Sequence, residues 1–136
     1  MSTVVDASVV LAWCFEDEDS AYPERVLADV RVDGATVPAI WPLEIANALR
    51  VAERRGRILE GRLPGMLEVI SALPVTVEPT PTSLALGPIL RLARSQKLSP
   101  YDASYLELAM RSGGTLATLD RQLKEAAVRL GVPVVN

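Results

Sequence analysis

Four acidic residues occupy positions from which their carboxylates could act together. Asp6 and Asp120 each end a short apolar segment, and Glu44 and Asp102 each fall in the first turn of a predicted helix. The carboxyl ends of parallel strands and the starts of the following helices lie along one edge of an α/β sheet, where such sheets bind ligands. The four acids can therefore meet in one cleft, and hard oxygen donors of this kind suit Mg²⁺ or Mn²⁺.

Each acid could instead only stabilise the start of a helix. A capping side chain contributes about 0.5–2 kcal/mol, and Ser99 and Asp102 have the spacing of a capping box. Grouping the acids has a larger cost, because carboxylates about 5 Å apart repel by roughly 3 kcal/mol per pair at an effective dielectric of 20. Summed over all the pairs, that repulsion exceeds the net stability of an ordinary domain. A shared cleft therefore predicts that some acids are protonated or that a divalent cation lies among them.

The residue types that are missing narrow the chemistry further. The chain has no histidine in 136 residues. This excludes Ser-His-Asp and Cys-His nucleophiles, two-histidine zinc sites and imidazole acid–base pairs. An enzyme of this composition must rely on carboxylates, most directly with a metal ion.

The elements that must position these acids alternate along the chain. Apolar strands are predicted at 3–6, 35–40, 75–78, 115–119 and 132–135, and helices at 8–15, 23–32, 42–55, 59–73, 82–96, 100–110 and 121–130. Strands that alternate with helices, without hairpin signals, indicate an α/β fold with a mainly parallel central sheet of about five short strands flanked by helices. The length and the absence of a linker predict one domain over residues 1–136.

Composition bounds where the protein works. Its single cysteine cannot form an internal disulfide, which fits a reducing cytoplasm. The longest apolar run, Ala7 to Phe15, is far shorter than a membrane span. We therefore expect a cytoplasmic protein without a membrane partner.

Four stretches of the sequence resemble the four acidic motifs of the PIN domain. They are VVDAS at 4–8, LEIANAL at 43–49, LSPYDASYLELA at 98–109 and LATLD at 116–120. Each stretch is weak evidence alone, but their order and spacing in a chain of this length are most similar to the VapC-type toxins of bacterial toxin–antitoxin pairs. The resemblance covers essentially the whole chain and implies a PIN-like three-layer fold.

The resemblance also implies an activity, that of a Mg²⁺-dependent endoribonuclease. Its catalytic and metal-binding residues map onto the four acids: Asp6, Glu44, Asp102 and Asp120. Three further side chains would support them, namely Ser8, Asn47 and Thr118. Water activated by the metal would hydrolyse the RNA phosphodiester and leave 5′-phosphate and 3′-hydroxyl ends. Some members carry a further acid where this chain has Gln122, so the fourth carboxylate stands alone at its strand end.

A toxin of this kind implies protein partners. The family pattern predicts a small VapB-like antitoxin made alongside the chain, and a homodimer of the toxin itself. The first two helices are strongly apolar for a domain of this size, and any groove they leave exposed would suit an amphipathic helix of the antitoxin. An arginine from that partner among the four acids would replace the charge of the cation.

The net charge of −3 and the pI of about 5.0 do not favour an RNA partner. Removing the four acids at 16–19, which we predict to form a solvated loop, brings the charge to +1, and neutralising the four site acids brings it to +5. Three arginines on the helix that begins near Glu44 could contact phosphates, although a solvated helix face explains them equally well: Arg50, Arg54 and Arg55. Three aromatic residues lie beside the acidic motifs, where core packing is favoured over base stacking: Trp41, Tyr101 and Tyr105.

Other functions compete with a nuclease. A phosphoacceptor receiver domain needs an acidic pair after its first strand and a lysine near its last, whereas this chain offers Asp6 alone and no lysine in VPVVN at 132–136. A haloacid-dehalogenase-like phosphatase needs D-x-D where this chain has DAS, and GRILEG at 56–61 lacks the Lys and Ser/Thr of a P-loop. A PIN scaffold that only binds a partner remains a non-enzymatic alternative.

Overall fold

Four short parallel strands lie at the centre of the computed structural model, which describes residues 2–15 and 21–136. The strands are β1 (Thr3–Val5), β2 (Ala35–Pro38), β3 (Val75–Glu78) and β4 (Thr115–Ala117), and their order across the sheet is β3-β2-β1-β4. The loop that we predict over 16–19 falls outside the described residues. The predicted α/β class with a parallel central sheet is confirmed.

The helices alternate with the strands as the sequence predicts. They are α1 (Ala7–Phe15), α2 (Ala21–Asp33), α3 (Trp41–Arg54), α4 (Leu63–Ser71), α5 (Thr82–Leu84), α6 (Leu90–Gln96), α7 (Pro100–Ser112) and α8 (Arg121–Arg129). Helix α7 packs across β1, β2 and β4, while α1 packs against α2 and α3. The central strands are accordingly buried, with Val4 and Leu116 wholly excluded from solvent.

The last predicted strand forms only one bridge within the described residues. Val134 pairs with Leu116 in parallel, and backbone bonds at 2.9 Å join Leu116 to the carbonyl of Pro133 and the N–H of Val135. Pro133 has no N–H to donate, which limits further pairing. The sheet therefore has four strands where the sequence predicts about five.

Two predicted helices are interrupted. The helix expected over 59–73 begins as a short 3₁₀ turn at Glu60–Arg62 and continues as α4. The helix expected over 82–96 contains a π turn at Ala85–Ile89 between α5 and α6, with Pro88 inside it. Proline cannot donate the usual helical bond, so a widened turn at Pro88 is the expected local response.

Two glycines bring β4 into place beside β1. Gly113 ends α7 in the left-handed region at φ 65°, which favours glycine. At Gly114 a side chain would collide with the backbone oxygen of Ser2, so only glycine allows the two segments to approach this closely. This approach fixes the register of β4 against β1, in which Val5 lies beside Ala117.

Candidate active site

The site is built where the strand order changes direction. From β1 the chain adds β2 and then β3 on one side, and β4 returns to the other side of β1. The carboxyl ends of β1 and β4 therefore flank the switch point, where open α/β sheets bind ligands. Asp6 follows β1 directly, and its backbone N–H donates to the carbonyl of Ala117 at 2.9 Å.

Two hydroxyl groups hold the carboxylate of Asp6. Oδ2 accepts a hydrogen bond from Ser8 Oγ at 2.8 Å and another from Thr118 Oγ1 at 2.7 Å. The same hydroxyls accept backbone N–H groups that follow β4, Ser8 from Leu119 at 3.1 Å and Thr118 from Asp120 at 2.9 Å. Asp6 is only 5% exposed, so these bonds set both its orientation and the path of the chain toward Asp120.

Asp102 and Asp120 begin the helices on which they lie. Asp120 is the N-cap of α8, and its Oδ1 accepts the N–H of Leu123 at 3.0 Å. Asp102 lies in the first turn of α7 and donates its own N–H to the N-cap Ser99 at 3.1 Å. The capping interpretation is thus correct for Asp120 and Ser99. It does not exclude the shared cleft, because these helix starts lie at the same edge of the sheet.

Glu44 is held by a residue that the sequence analysis assigned to the core or to base stacking. Tyr105 is completely buried on α7, and its hydroxyl donates to Glu44 Oε1 at 2.5 Å. Burial, followed by the bond to Glu44, raises the pKa of Tyr105 far above its usual value, so the phenol stays protonated and acts as a donor. The sequence offers one indication of a polar partner for Tyr105: a buried tyrosine needs a partner for its hydroxyl, and Tyr105 lies one turn after Asp102.

Burial and mutual repulsion raise the pKa values of three of the acids. For Asp6, burial has the largest effect and the charge of Asp120 adds to it, while the Thr118 and Ser8 bonds oppose it. Burial also has the largest effect on the pKa of Glu44, and the charges of Asp6 and Asp102 raise it further. The pKa of Asp102 is raised mainly by burial, and then by the charges of Asp120 and Asp6. The four carboxylates therefore lie close enough to act on one another.

The acids are nevertheless not arranged to coordinate one metal ion. Among residues 2–15 and 21–136, no three Asp, Glu, Cys or His side chains form a group that could hold a metal ion without adjustment. Glu44 and Asp102 are half-buried rather than fully enclosed, so their side chains have room to rotate. The structure thus brings the four acids to one edge of the sheet, but among the described residues no three of them are arranged as ready metal ligands.

The other residues named from the sequence lie outside this cluster. Asn47 is exposed and makes no hydrogen bond to the acids in the described part of the chain. The three arginines are exposed near the far end of α3, where one pairs with Glu53 at 3.2 Å: Arg50, Arg54 and Arg55. Trp41 is buried, as the core interpretation predicts, whereas Tyr101 is 60% exposed.

The strand order separates this fold from a receiver domain. In a receiver-like sheet β1 lies between β2 and β3, in the order 2-1-3-4-5. Here β1 lies between β2 and β4. The phosphoacceptor alternative is therefore wrong for this chain.

Comparisons with known proteins agree with this geometry. The PIN domain family matches residues 3–129. Ribonuclease VapC3 of Pyrobaculum aerophilum is 33% identical over 133 residues, which cover 98% of this chain and 100% of that protein. The crystal structure of PAE2754 from Pyrobaculum aerophilum shares 27% identity with a TM-score of 0.74, covering 99% of this chain and 91% of that one.

A more distant structure shares the fold alone. FitAcB from Neisseria gonorrhoeae has 16% identity and a TM-score of 0.64, and the match covers 98% of this chain and 96% of that chain. The family match spans all four acids, and the relative is similar over nearly the full length of the chain. The chain belongs to the PIN domain family.

Proposed function

We propose that this PIN domain is the Mg²⁺-dependent endoribonuclease of a toxin–antitoxin pair. The observation that carries the proposal is the set of four carboxylates at the switch point, three of them with pKa values raised by burial and by one another. A protein gains nothing in stability by burying repelling carboxylates together. The similarity to Ribonuclease VapC3 over nearly the full length supports the same activity.

The donors present in the cleft fit a magnesium ion. Carboxylate oxygens are the ligands that Mg²⁺ prefers, and the ion keeps several waters rather than requiring a closed protein cage. One oxygen each of Asp6 and Glu44 is occupied by hydroxyl donors, which leaves the second oxygen of each for a cation. Small rotations of Glu44 and Asp102 would complete the set. Mn²⁺, which accepts the same ligands, would substitute.

The acids would have different roles in phosphodiester hydrolysis. Asp6 and Asp102 would hold the cation directly, and Asp120 directly or through a water. When bound, Mg²⁺ lowers the pKa of its water and offsets charge on the phosphate in the transition state. Glu44 would orient the attacking water and accept its proton. Because no imidazole pair exists to activate the 2′-hydroxyl of the RNA, the products would carry 5′-phosphate and 3′-hydroxyl ends.

The RNA would reach the cleft along α3. This helix begins beside the acids with Glu44 and ends at the exposed Arg54, which the exposed Arg55 follows directly. At 1.5 Å per residue, Arg54 lies about 15 Å along the axis from Glu44. A phosphate backbone that reaches the acids could therefore extend along α3 to these arginines.

A groove beside α1 supplies a docking surface for an antitoxin. About 460 Å³ in volume, it is lined by Trp13, Phe15, Ile58 and Met66 and carries Arg57 and Arg62 among its polar residues. Arg57 lies over the Phe15 ring at 4.8 Å. An amphipathic helix with apolar side chains toward the groove and an acidic side chain toward the exposed Arg62 would be complementary to it.

This surface refines the expectation from the first helices. Most of their apolar residues are buried in the core, as Val9, Val26 and Leu27 show. The groove is formed by the end of α1, by the segment that precedes α4 and by α4 itself, which contributes Met66 and Val69. A homodimer and a cytoplasmic location belong to the same proposal. In the part of the chain that the structure describes, no helix has the length and apolar character to cross a membrane.

The direct test is cleavage of RNA by the purified chain. Incubated with total cellular RNA and Mg²⁺, the protein should produce discrete fragments whose new ends are 5′-phosphates and 3′-hydroxyls. The same mixture with EDTA should remain uncut. Cleavage that continues in EDTA, or fragments with cyclic 2′,3′-phosphate ends, would contradict the metal-assisted hydrolysis. An absence of any cleavage would favour the PIN scaffold that only binds a partner.

A further inference from the structure

A completely buried hydroxyl contacts the longest of the four acidic side chains. Tyr105 donates to Glu44 Oε1 at 2.5 Å and so joins α7 to α3 across 61 residues of sequence. Asp102 lies three residues earlier on the same helix. Helix α7 therefore supplies one acid of the cleft and also the group that holds a second acid.

Glu44 needs such a partner more than the aspartates do. A glutamate has one more rotatable bond than an aspartate, and Glu44 is only half-buried in the first turn of α3. Within the described residues, Tyr105 makes the only side-chain hydrogen bond to its carboxylate. Without that bond, nothing described would select the orientation of the carboxylate.

The chemical nature of the donor also matters. Asp6 is held in the same way, by the hydroxyls of Ser8 and Thr118 on a single oxygen. A hydroxyl orients a carboxylate and leaves its negative charge in place, whereas an arginine would neutralise the charge that a cation needs. Neutral donors that hold a carboxylate and leave its charge available to a cation are typical of groups that orient metal ligands.

We propose that Tyr105 is a positioning residue for Glu44, whose hydroxyl fixes Oε1 and so presents Oε2 to the cleft shared with Asp6 and Asp102. This proposal rests on the nuclease function proposed above. It assigns to Tyr105 no contact with RNA or with the cation, and its action passes entirely through Glu44.

The decisive variant is Tyr105→Phe, which removes one oxygen and keeps the buried ring. Calorimetry with Mn²⁺ should show a Kd about 10-fold weaker than that of the wild type, the lower end of the usual effect of groups that orient metal ligands. In RNA cleavage, kcat should fall by a similar factor while KM for RNA stays unchanged. Tyr101→Phe makes the same chemical change on the same helix at an exposed ring, and should leave Kd and kcat at wild-type values.

A second measurement separates positioning from general stability. Urea unfolding in EDTA should show a lower free energy of unfolding for Tyr105→Phe than for the wild type. In a Glu44→Ala background the hydroxyl has lost this acceptor and keeps only its bond with the backbone of Ala7, so the same change should be clearly less destabilising. Equal destabilisation in both backgrounds would mean that the hydroxyl serves only the fold, and would overturn the proposal.

Unchanged Mn²⁺ affinity and kcat in Tyr105→Phe would overturn it as well. The Mn²⁺ titration and the unfolding experiments need no RNA. Failure of the wild type to cleave RNA would therefore count against the nuclease function alone, while the Mn²⁺ comparison would still decide the role of Tyr105.

Discussion

At Asp6, burial and hydrogen bonding act on the carboxylate in opposite directions. The hydroxyls of Thr118 and Ser8 stabilise the charged form, but removal from water has the larger effect and the pKa is raised. Glu44 and Asp102 show the same balance. Removal from water therefore gives the charged form of these acids a cost in the folded state, a cost that a bound cation would remove.

This cost predicts how stability depends on pH. A carboxyl whose folded pKa lies above its unfolded value stabilises the fold at pH below the unfolded pKa, near 4, and loses that contribution as pH rises through the folded pKa. In EDTA the acids should therefore make the protein more stable at pH 5 than at pH 7. Urea unfolding of Asp6→Asn should show a smaller difference between the two pH values than the wild type. Asp29→Asn, at an exposed position on α2, is the matched control and should behave as the wild type.

The positions of the four acids could be predicted from the sequence because each depends on a local rule. A strand end and a helix start each set where one carboxylate lies, and a parallel sheet brings those ends to one edge. The bond from Tyr105 to Glu44 could not be predicted, since it depends on how α3 and α7 pack across 61 residues. The orientations of the four carboxylates could not be predicted either, because they depend on side-chain rotation.

Among the elements, α3 would connect the proposed catalytic site to the proposed RNA-binding arginines. Its first turn carries Glu44, its middle packs into the core through Ile45 and Leu49, and its last turn is basic. The apolar periodicity of the sequence predicts this helix closely. The π turn inside the helix predicted over 82–96 and the missing fifth strand depend on single prolines, Pro88 and Pro133. Their effects are seen only once the neighbouring backbone partners are known.

The arginines of α3 can be tested by the salt dependence of RNA binding. Each lost phosphate contact on single-stranded RNA should reduce the slope of log K against log salt concentration by about 0.7. The double variant Arg54→Ala/Arg55→Ala should therefore bind all RNA sequences more weakly and show a slope flatter by about 1.4. Arg94→Ala, at an exposed position on α6, serves as the control. A slope equal to that of the wild type would assign the α3 arginines to solvent or to a protein partner.

For the molecule as a whole, the acidic cleft and the groove beside α1 are separate surfaces with different lining residues. Under the proposed function, this separation would allow the antitoxin contact to be disrupted without altering catalysis. Leu59 lines the groove and is 71% exposed. In Leu59→Glu, the new carboxylate would face the apolar side of a docked helix, so the complex should weaken while cleavage of RNA is retained.

The measurement is co-purification of the chain with the product of the adjacent small reading frame, together with inhibition of RNA cleavage by that product. Leu86→Glu introduces the same change at another exposed leucine, 70% exposed on the π turn and outside the groove, and should leave the complex intact. If both variants bind the partner as the wild type does, the antitoxin docks elsewhere.

Under the proposed function, repelling carboxylates are held together in this chain to bind the cation that assists RNA cleavage. The most direct measurement compares Asp6→Asn with the wild type in two assays on the same preparations. An asparagine can still accept the bonds of Ser8 and Thr118 but carries no charge. Cleavage of RNA with Mg²⁺ should fall by roughly 100-fold or more, while the free energy of unfolding in EDTA at pH 7 should rise, because a charge that burial disfavours has been removed. Wild-type cleavage by Asp6→Asn would contradict the account, as would a loss of cleavage accompanied by a loss of stability.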